Sequence, residues 1–342
     1  MNTDSSNTVT DTLNRPIRDI RVSITDRCNF RCTYCMPKEF FGSNHAFLHR
    51  KQLLTFEEIE RSVRAFVANG VKKVRITGGE PMVRKDHPEL ISILSKVPGI
   101  EDLSMTTNAS LLTTQAAHDL YKSGLQRITI SLDAIDNKVF HSINDVKFPV
   151  DRVLAGIDNA RVAGMSPIKV NMVVARGMND QEILPMVRQF RNSGVILRFI
   201  EFMDVGNTND WQMDKVISAK DILKTINSEY PIEPVSPTYR GEVAKRWQYK
   251  DGAGEIGIIS SVTEPFCGAC NRARLTAEGK IYTCLFATDG FDLREHIRNG
   301  ADVDELAGIV NELWQSRTDR YSELRSKQSV ATPKIEMSYV GG

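Results

Sequence analysis

Between residues 19 and 25 polar and apolar side chains alternate, with Arg21, Ser23 and Thr25 on one side and Ile20, Val22 and Ile24 on the other, the period-two pattern of a strand. Residues 55–69 change period. Thr55 stands at a cap position before Glu57 and Glu58, apolar side chains recur at Ile59, Val63 and Phe66, and Gly70 follows, which predicts an amphipathic helix. A second strand begins at Lys73 and runs into Gly78-Gly79-Glu80-Pro81. Strand-like runs return at 103–108, 127–134, 169–175 and 196–203, each beside a helical pattern. Six strands alternating with helices predict a parallel sheet of βα units, either doubly wound or part of a barrel.

The phase of the strands separates these two architectures. Arg75 and Thr77, Ser104, Thr106 and Asn108, Thr129, Ser131 and Asp133, and Lys169 and Asn171 all keep one polar face. A doubly wound sheet is covered by helices on both faces and reads apolar on both. An antiparallel sheet with one solvated face also alternates, but the intervening helical segments argue against it. The expectation is an α/β fold, an incomplete (βα)6 TIM-type barrel over residues 15–203. Its apolar side packs on outer helices and its polar side lines a wide cavity. The loop after the first strand, residues 78–81 and Asn108 then lie at the C-terminal strand ends, where barrel enzymes bind substrates.

Outside this unit the rhythm is different. Residues 1–14 are polar and predict a disordered tail. Residues 204–326 read as a C-terminal region: loop-rich to 245 with a helical pattern at 218–227, strand-like at 254–262, a hairpin at 274–286 turning at Glu278-Gly279-Lys280, and a helix at 302–315. Residues 327–342 predict an extended tail ending Gly341-Gly342.

Composition adds exclusions. A chain of 342 residues with 41% hydrophobic content can bury a sizeable core. Forty-four basic against 43 acidic residues leave a net charge of +1, which argues against nucleic acid or a membrane surface as partner. The polar N-terminus lacks the apolar segment of a signal peptide, and no apolar run reaches about 18 residues, so the expected location is cytoplasmic.

The six cysteines form two triplets, Cys28, Cys32, Cys35 and Cys267, Cys270, Cys284. Clustered cysteines in such a chain point to metal rather than disulfides. The CxxxCxxC of the first triplet follows the first strand, and three thiolates on one loop leave a coordination position open, as catalytic centres do. The alternative is structural zinc completed by a histidine. His45 and His49, the one histidine pair at ligand spacing, have no nearby carboxylate and read as surface or packing residues. Asn108-Ala109-Ser110 is a chance match to a glycosylation acceptor. The hairpin brings Cys284 back beside Cys267 and Cys270.

CxxxCxxC with Tyr34 before its third cysteine, together with Gly78-Gly79-Glu80-Pro81, resembles the radical S-adenosylmethionine superfamily. Residues 25–32, 75–81, 199–203 and 266–276 resemble more narrowly the molybdenum cofactor biosynthesis protein A family of GTP 3',8-cyclases, as do the thirteen residues between Cys270 and Cys284 and the terminal Gly-Gly. Ala109 departs from the glycine common in that family after Thr-Thr-Asn, and Pro16 lies in a variable approach to the first strand.

The resemblance implies two 4Fe-4S clusters, one per triplet, with S-adenosylmethionine chelated by the first. A 5'-deoxyadenosyl radical would take hydrogen from C3' of GTP, and C3' would join guanine C8, the first step of molybdenum cofactor synthesis. The second cluster would hold the base. The implied S-adenosylmethionine contacts are Tyr34, Gly78, Gly79, Glu80, Pro81, Ser131 and Met203. The implied GTP contacts are Arg21, Arg75, Thr106, Lys169, Arg198, Arg272, Ala273 and Arg274, with Arg21, Arg272, Arg274, Gly341 and Gly342 catalytic. Implied partners are a reductant such as a flavodoxin or ferredoxin and the downstream cyclic pyranopterin monophosphate synthase, with a homodimer left open.

Charge placement agrees with this substrate. No Gly-x-x-x-x-Gly-Lys-Ser/Thr loop is present, so a triphosphate needs side-chain cations. Arg21, Arg75, Lys169 and Arg198 sit inside strand-like runs, where a cation needs an anion or water. Arg272 and Arg274, two apart, share a face beside the second triplet. Any one of them alone reads as a surface ion pair. The remaining rivals are a radical S-adenosylmethionine enzyme that modifies peptides, which usually carries more C-terminal cysteines, and a zinc-stabilised binding protein.

Overall fold

The six alternating runs form β1 (Asp19–Ser23), β2 (Lys73–Thr77), β3 (Asp102–Thr107), β4 (Arg127–Ser131), β5 (Ile168–Val174) and β6 (Ile196–Glu201), paired parallel in that order. The structure is a computed structural model, which describes residues 8–239, 241–325 and 334–341. Helices follow each of these strands on the outside, and the first shows why the chain winds this way. In the helix Phe56–Ala68 the Thr55 hydroxyl accepts from the Glu58 amide while the Glu58 carboxylate accepts from the Thr55 amide, a reciprocal cap. Gly70, at φ 102, ends it in a conformation other residues rarely adopt. Ile59, Val63 and Phe66 then belong to one buried cluster with Ile20, Val22, Val74 and Ile76, all essentially inaccessible. Each such side chain contributes about 1.5–3 kcal/mol.

The predicted polar phase faces inward. Register places Arg21 beside Arg75 and Arg75 beside Ser104, then Thr106 beside Thr129 and Thr129 beside Lys169, and Ser131 beside Asn171 and Asn171 beside Arg198.

The six-strand count needs extension, because C-terminal strands add to both edges. β7 (Ile232–Val235), β8 (Lys245–Tyr249) and β9 (Glu255–Ile259) join beyond β6, with β9 parallel to it. β10 (Arg272–Leu275) lies parallel to β1, followed by antiparallel β11 (Lys280–Tyr282) and β12 (Phe291–Asp292). The order is β12-β11-β10-β1-β2-β3-β4-β5-β6-β9-β8-β7, and the two ends are not paired with each other. Periodicity marks a strand but not its neighbour, which is why these additions were invisible. The β10–β11 hairpin forms, with its turn at residues 276–279 and Lys280, expected within the turn, already the first residue of β11.

Both tails differ from expectation where they are described. Residues 1–7 lie outside the described residues, but Val9 and Asp11 are buried rather than free. The Asp11 carboxylate accepts from Arg15 Nε at 2.5 Å and faces Arg317 Nη1 at 3.4 Å, so two guanidiniums neutralise it inside the fold. At the other end, Met337–Val340 is a helical turn rather than extended chain, because Val340 has an apolar site to fill and is inaccessible. Gly342 lies outside the described residues.

Candidate functional site

The inward face of the strands encloses a cavity of about 480 Å³. Arg21, Arg75, Lys169, Arg198, Arg272 and Arg274 all line it, so the six cations singled out from phase converge. Tyr34, Thr106, Ser131 and Met203 line it as well, and so do Cys267, Cys270 and Cys284. The first triplet adjoins the cavity through Tyr34, whose hydroxyl donates to Asp133 Oδ2 at 2.7 Å. Asp133 Oδ1 accepts from the Val173 amide at 2.8 Å, which fixes the pair.

Backbone geometry shapes the first cysteine loop. Arg31 Nη1 donates to Cys28 O at 2.8 Å and Arg31 Nε to Phe41 O at 2.8 Å, while Phe30 is buried against Phe140 and Phe148. A Cβ on Gly79 would stand 2.4 Å from Arg27 O, and one on Gly78 2.6 Å from Thr25 O. Only glycines let this strand end approach the loop so closely. Glu80 is held in a network of its own. Its carboxylate is buried and accepts from the Met82 amide at 3.0 Å, Thr107 Oγ1 at 2.7 Å and the Asn108 amide at 2.7 Å. Those bonds tie the Gly78–Pro81 turn to the end of β3, and burial lifts the Glu80 carboxyl to about 7. Neither Glu80 nor Gly78, Gly79 or Pro81 lines the cavity.

The thiols themselves describe two different environments. Burial pushes Cys28 up to about 12, and burial with mutual repulsion pushes Cys32 and Cys35 up as well. Three thiolates there would need a positive centre to balance their charge. Burial also opposes ionisation of Cys270, yet Arg272 and Arg317 bring it down to about 6. Arg272 Nη2 donates to Cys270 Sγ at 3.4 Å and Arg317 Nη2 at 3.3 Å. Burial and Asp319 raise Cys284 to about 12. Among the described residues no three Cys, His, Asp or Glu side chains converge closely enough for one ion. His45 packs between Phe41 and Phe47, in keeping with a packing role.

Charge in the cavity is layered. At the N-terminal ends of the strands Arg272 pairs in register with Asp19, Asp19 with Lys73, and Lys73 with Asp102, which also holds Arg127. Signs alternate, three cations to two carboxylates, so this belt is largely self-neutralised. One layer further in, Arg274, Arg21 and Arg75 are adjacent in register, and Lys169 and Arg198 line the same cavity. Burial and the Arg198, Arg127 and Arg75 charges bring Lys169 down to about 7, and burial with Arg75 and Arg127 brings Arg198 to about 9. Nε of Arg21, Arg75 and Arg198 and Oγ1 of Thr106 are buried without a partner among the described residues. That layer is built for an anion.

Two expected residues stand apart. Ala273 alternates with Arg272 and Arg274 and its side chain lies in the apolar core, leaving only its main chain for a ligand. Gly341 is at the cavity edge: Arg274 Nη1 donates to Val340 O at 3.1 Å and also to Gly341 O. Residues missed from the sequence include Asp19, Lys73, Asp102 and Arg127, although each shares the polar phase of its strand. Arg317 had no such signal, since it follows the helix Val303–Gln315 in a run without pattern.

Residues 22–190 match the Radical SAM superfamily model and residues 195–323 the Molybdenum Cofactor Synthesis C model. Streptococcus suis SuiB bound to S-adenosylmethionine shares the fold, with a TM-score of 0.61 at 16% identity over 96% of this chain and 77% of that one. The GTP 3',8-cyclase of Staphylococcus carnosus (strain TM300) is 50% identical over 98% of this chain and 99% of its own. That of Acidothermus cellulolyticus (strain ATCC 43068 / DSM 8971 / 11B) is 46% identical over 98% and 99%. With two cysteine triplets beside one cationic cavity and identity of this order over nearly its full length, the chain belongs to the GTP 3',8-cyclase family.

Proposed function

We propose that this cavity converts GTP to (8S)-3',8-cyclo-7,8-dihydro-GTP, the first step of molybdenum cofactor synthesis. The observation that carries the reading is the cationic layer of Arg21, Arg75, Lys169, Arg198 and Arg274 beside two cysteine triplets in one enclosed volume. Cys28, Cys32 and Cys35 hold one 4Fe-4S cluster, and Cys267, Cys270 and Cys284 hold a second. Loaded, the first cluster would supply the electron for reductive cleavage of S-adenosylmethionine; with the C3' hydrogen of GTP removed, C3' would join C8, and one further electron and a proton would complete the dihydro product.

The chain's own residues position the partners. Tyr34, braced by Asp133, Ser131 and Met203 form the wall that receives S-adenosylmethionine. Gly78 and Gly79 let the strand end come up against the cysteine loop, and Glu80 holds that turn by its three hydrogen bonds. The cations grip the triphosphate, whose charge relieves their mutual repulsion. Arg272 spans the two functions, donating to Cys270 Sγ while projecting into the cavity. Holding C3' and C8 in register is the protein's largest contribution, because the reactive species comes from the cofactor. A reductant such as a flavodoxin or ferredoxin supplies electrons and cyclic pyranopterin monophosphate synthase consumes the product, with a homodimer left open.

Anaerobically reconstituted protein is expected to be brown, with about eight iron and eight sulfide per chain. Given GTP, S-adenosylmethionine and a reductant, it yields the cyclised nucleotide and 5'-deoxyadenosine. Colourless protein holding only zinc, or 5'-deoxyadenosine without cyclised GTP, refutes the proposal.

A further inference from the structure

The loop after β6 and the chain's last described segment make an interlock that the cyclisation chemistry does not itself require. Asp204, one residue beyond Met203, is buried, and its carboxylate accepts from Tyr321 Oη at 2.6 Å, Arg325 Nε at 2.9 Å and Lys334 Nζ at 2.9 Å. Lys334 Nζ donates also to Asp204 O at 2.8 Å. Two residues on, Glu336 accepts from the Asn207 amide at 2.9 Å and from Thr208 Oγ1 at 3.0 Å, while the Lys334 amide donates to Asn207 Oδ1 at 2.9 Å. Gly206 makes the room. Its φ is 74, and a Cβ there would lie 2.2 Å from Glu336 Oε2. The Ile335 amide donates to Ala287 O at 3.1 Å, and Lys334 stands over the ring of Tyr321, itself stacked on Phe286 two residues past Cys284.

We propose that residues 204–208 form a socket for Lys334 and Glu336, and that seating these two residues delivers the C-terminal end to Arg274. The distances divide the labour. The socket holds Lys334 and Glu336 by ion pairs and hydrogen bonds, whereas beyond it Met337 lines the cavity, Tyr339 hydrogen-bonds Glu278, Val340 is buried, and the main-chain carbonyls of Val340 and Gly341 accept from Arg274. Those bonds and the buried Val340 hold the tip, but the tip can reach them only if the segment leading to it is fixed, since chain ends fray. The socket supplies the fastening. Since Asp204 follows Met203 and Phe286 lies two residues past Cys284, the same fastening ties the end of the chain to the S-adenosylmethionine wall and to the second triplet together. Lys334, Glu336 and Asp204 are therefore positioning residues, acting through Gly341 and Arg274.

This inference rests on the proposed cyclase reading for its effect on product, and the test separates the two. Hydrogen exchange of residues 335–341 is measured on anaerobic holoenzyme, alongside the ratio of cyclised GTP to 5'-deoxyadenosine. Lys334→Met removes the seated cation and leaves Asp204 with Tyr321 and Arg325. Gly206→Ala evicts the Glu336 carboxylate without altering any charge, and Lys334→Arg keeps the seat filled. Both of the first two variants are expected to speed exchange by about tenfold or more and to lower the product ratio, while Lys334→Arg restores both. Unchanged exchange overturns the socket. Faster exchange with an unchanged product ratio overturns the coupling to Arg274. Wild-type protein that makes no cyclised GTP overturns the cyclase reading instead, and the exchange arm still judges the socket.

Discussion

Raising the pH from 7 to 9 should weaken GTP binding through Lys169. Burial and the Arg198, Arg127 and Arg75 charges hold the free lysine at about 7, against an ordinary value of 10.5. Each unit of that displacement corresponds to about 1.4 kcal/mol, so keeping the ammonium charged in the free cavity costs on the order of a few kcal/mol. A bound triphosphate reverses the balance and returns Lys169 toward its ordinary range. Above pH 7 the bound state therefore holds a proton that the free state has lost. Binding takes up that proton, and affinity falls by at most about tenfold per pH unit until the bound lysine itself titrates. The free fold responds with the opposite sign: its unfolded chain keeps the proton up to about 10.5, so stability without nucleotide rises with pH across the same window. Calorimetry of GTP binding to anaerobic holoenzyme without S-adenosylmethionine, run at pH 8 in two buffers of different ionisation enthalpy, counts the proton. The expected uptake is about 0.9 per GTP, since about nine-tenths of the free lysines are neutral there. Lys169→Arg should bind GTP without uptake. A wild-type value near zero, or equal uptake in Lys169→Arg, refutes the reasoning.

Arg274→Ala, which removes charge-assisted bonds worth about 1.5–3 kcal/mol, should weaken GTP binding by about ten- to a hundredfold while the first cluster still assembles, read by calorimetry and iron content. Cys284→Ser should halve the iron per chain and abolish cyclisation yet spare reductive cleavage of S-adenosylmethionine; retained cyclisation counts against the second cluster's role. Gly79→Ala places a Cβ 2.4 Å from Arg27 O, so the cysteine loop must shift, and lower iron occupancy with slower 5'-deoxyadenosine formation is expected. Full occupancy in that variant would show that the close approach is dispensable.

Period two carried most of the site. Arg21, Arg75, Lys169 and Arg198 were legible because an inward strand position is set by alternation alone, and Asp19, Lys73, Asp102 and Arg127 obey the same rule. Glu80 was legible as part of a motif but not as a buried acceptor, since its partners Thr107 and Asn108 come from another strand. Arg317 and Asp11 meet across 306 residues, and no local pattern encodes such a pair. Ala109 shows the converse: its φ of 56 is the conformation that favours the glycine the resemblance led one to expect. The polar composition of residues 8–14 concealed a buried ion pair, because composition does not distinguish solvated charge from paired charge.

The pairing of β1 with β10 also bears on how the chain comes into being. β1 is made first, yet the neighbour on its open side is Arg272–Leu275, about 250 residues later in synthesis. At an elongation rate of roughly 5–20 residues per second that interval lasts on the order of ten seconds or more. During it the nascent sheet offers bare edges at both β1 and β6, the sort of edge on which chains aggregate. Arg21 and Arg75 keep the inner face of that sheet charged meanwhile. A nascent or truncated chain ending before residue 255 lacks both parallel neighbours, so expression should fall off sharply for fragments that stop at the six-strand boundary, even though those strands look complete by themselves.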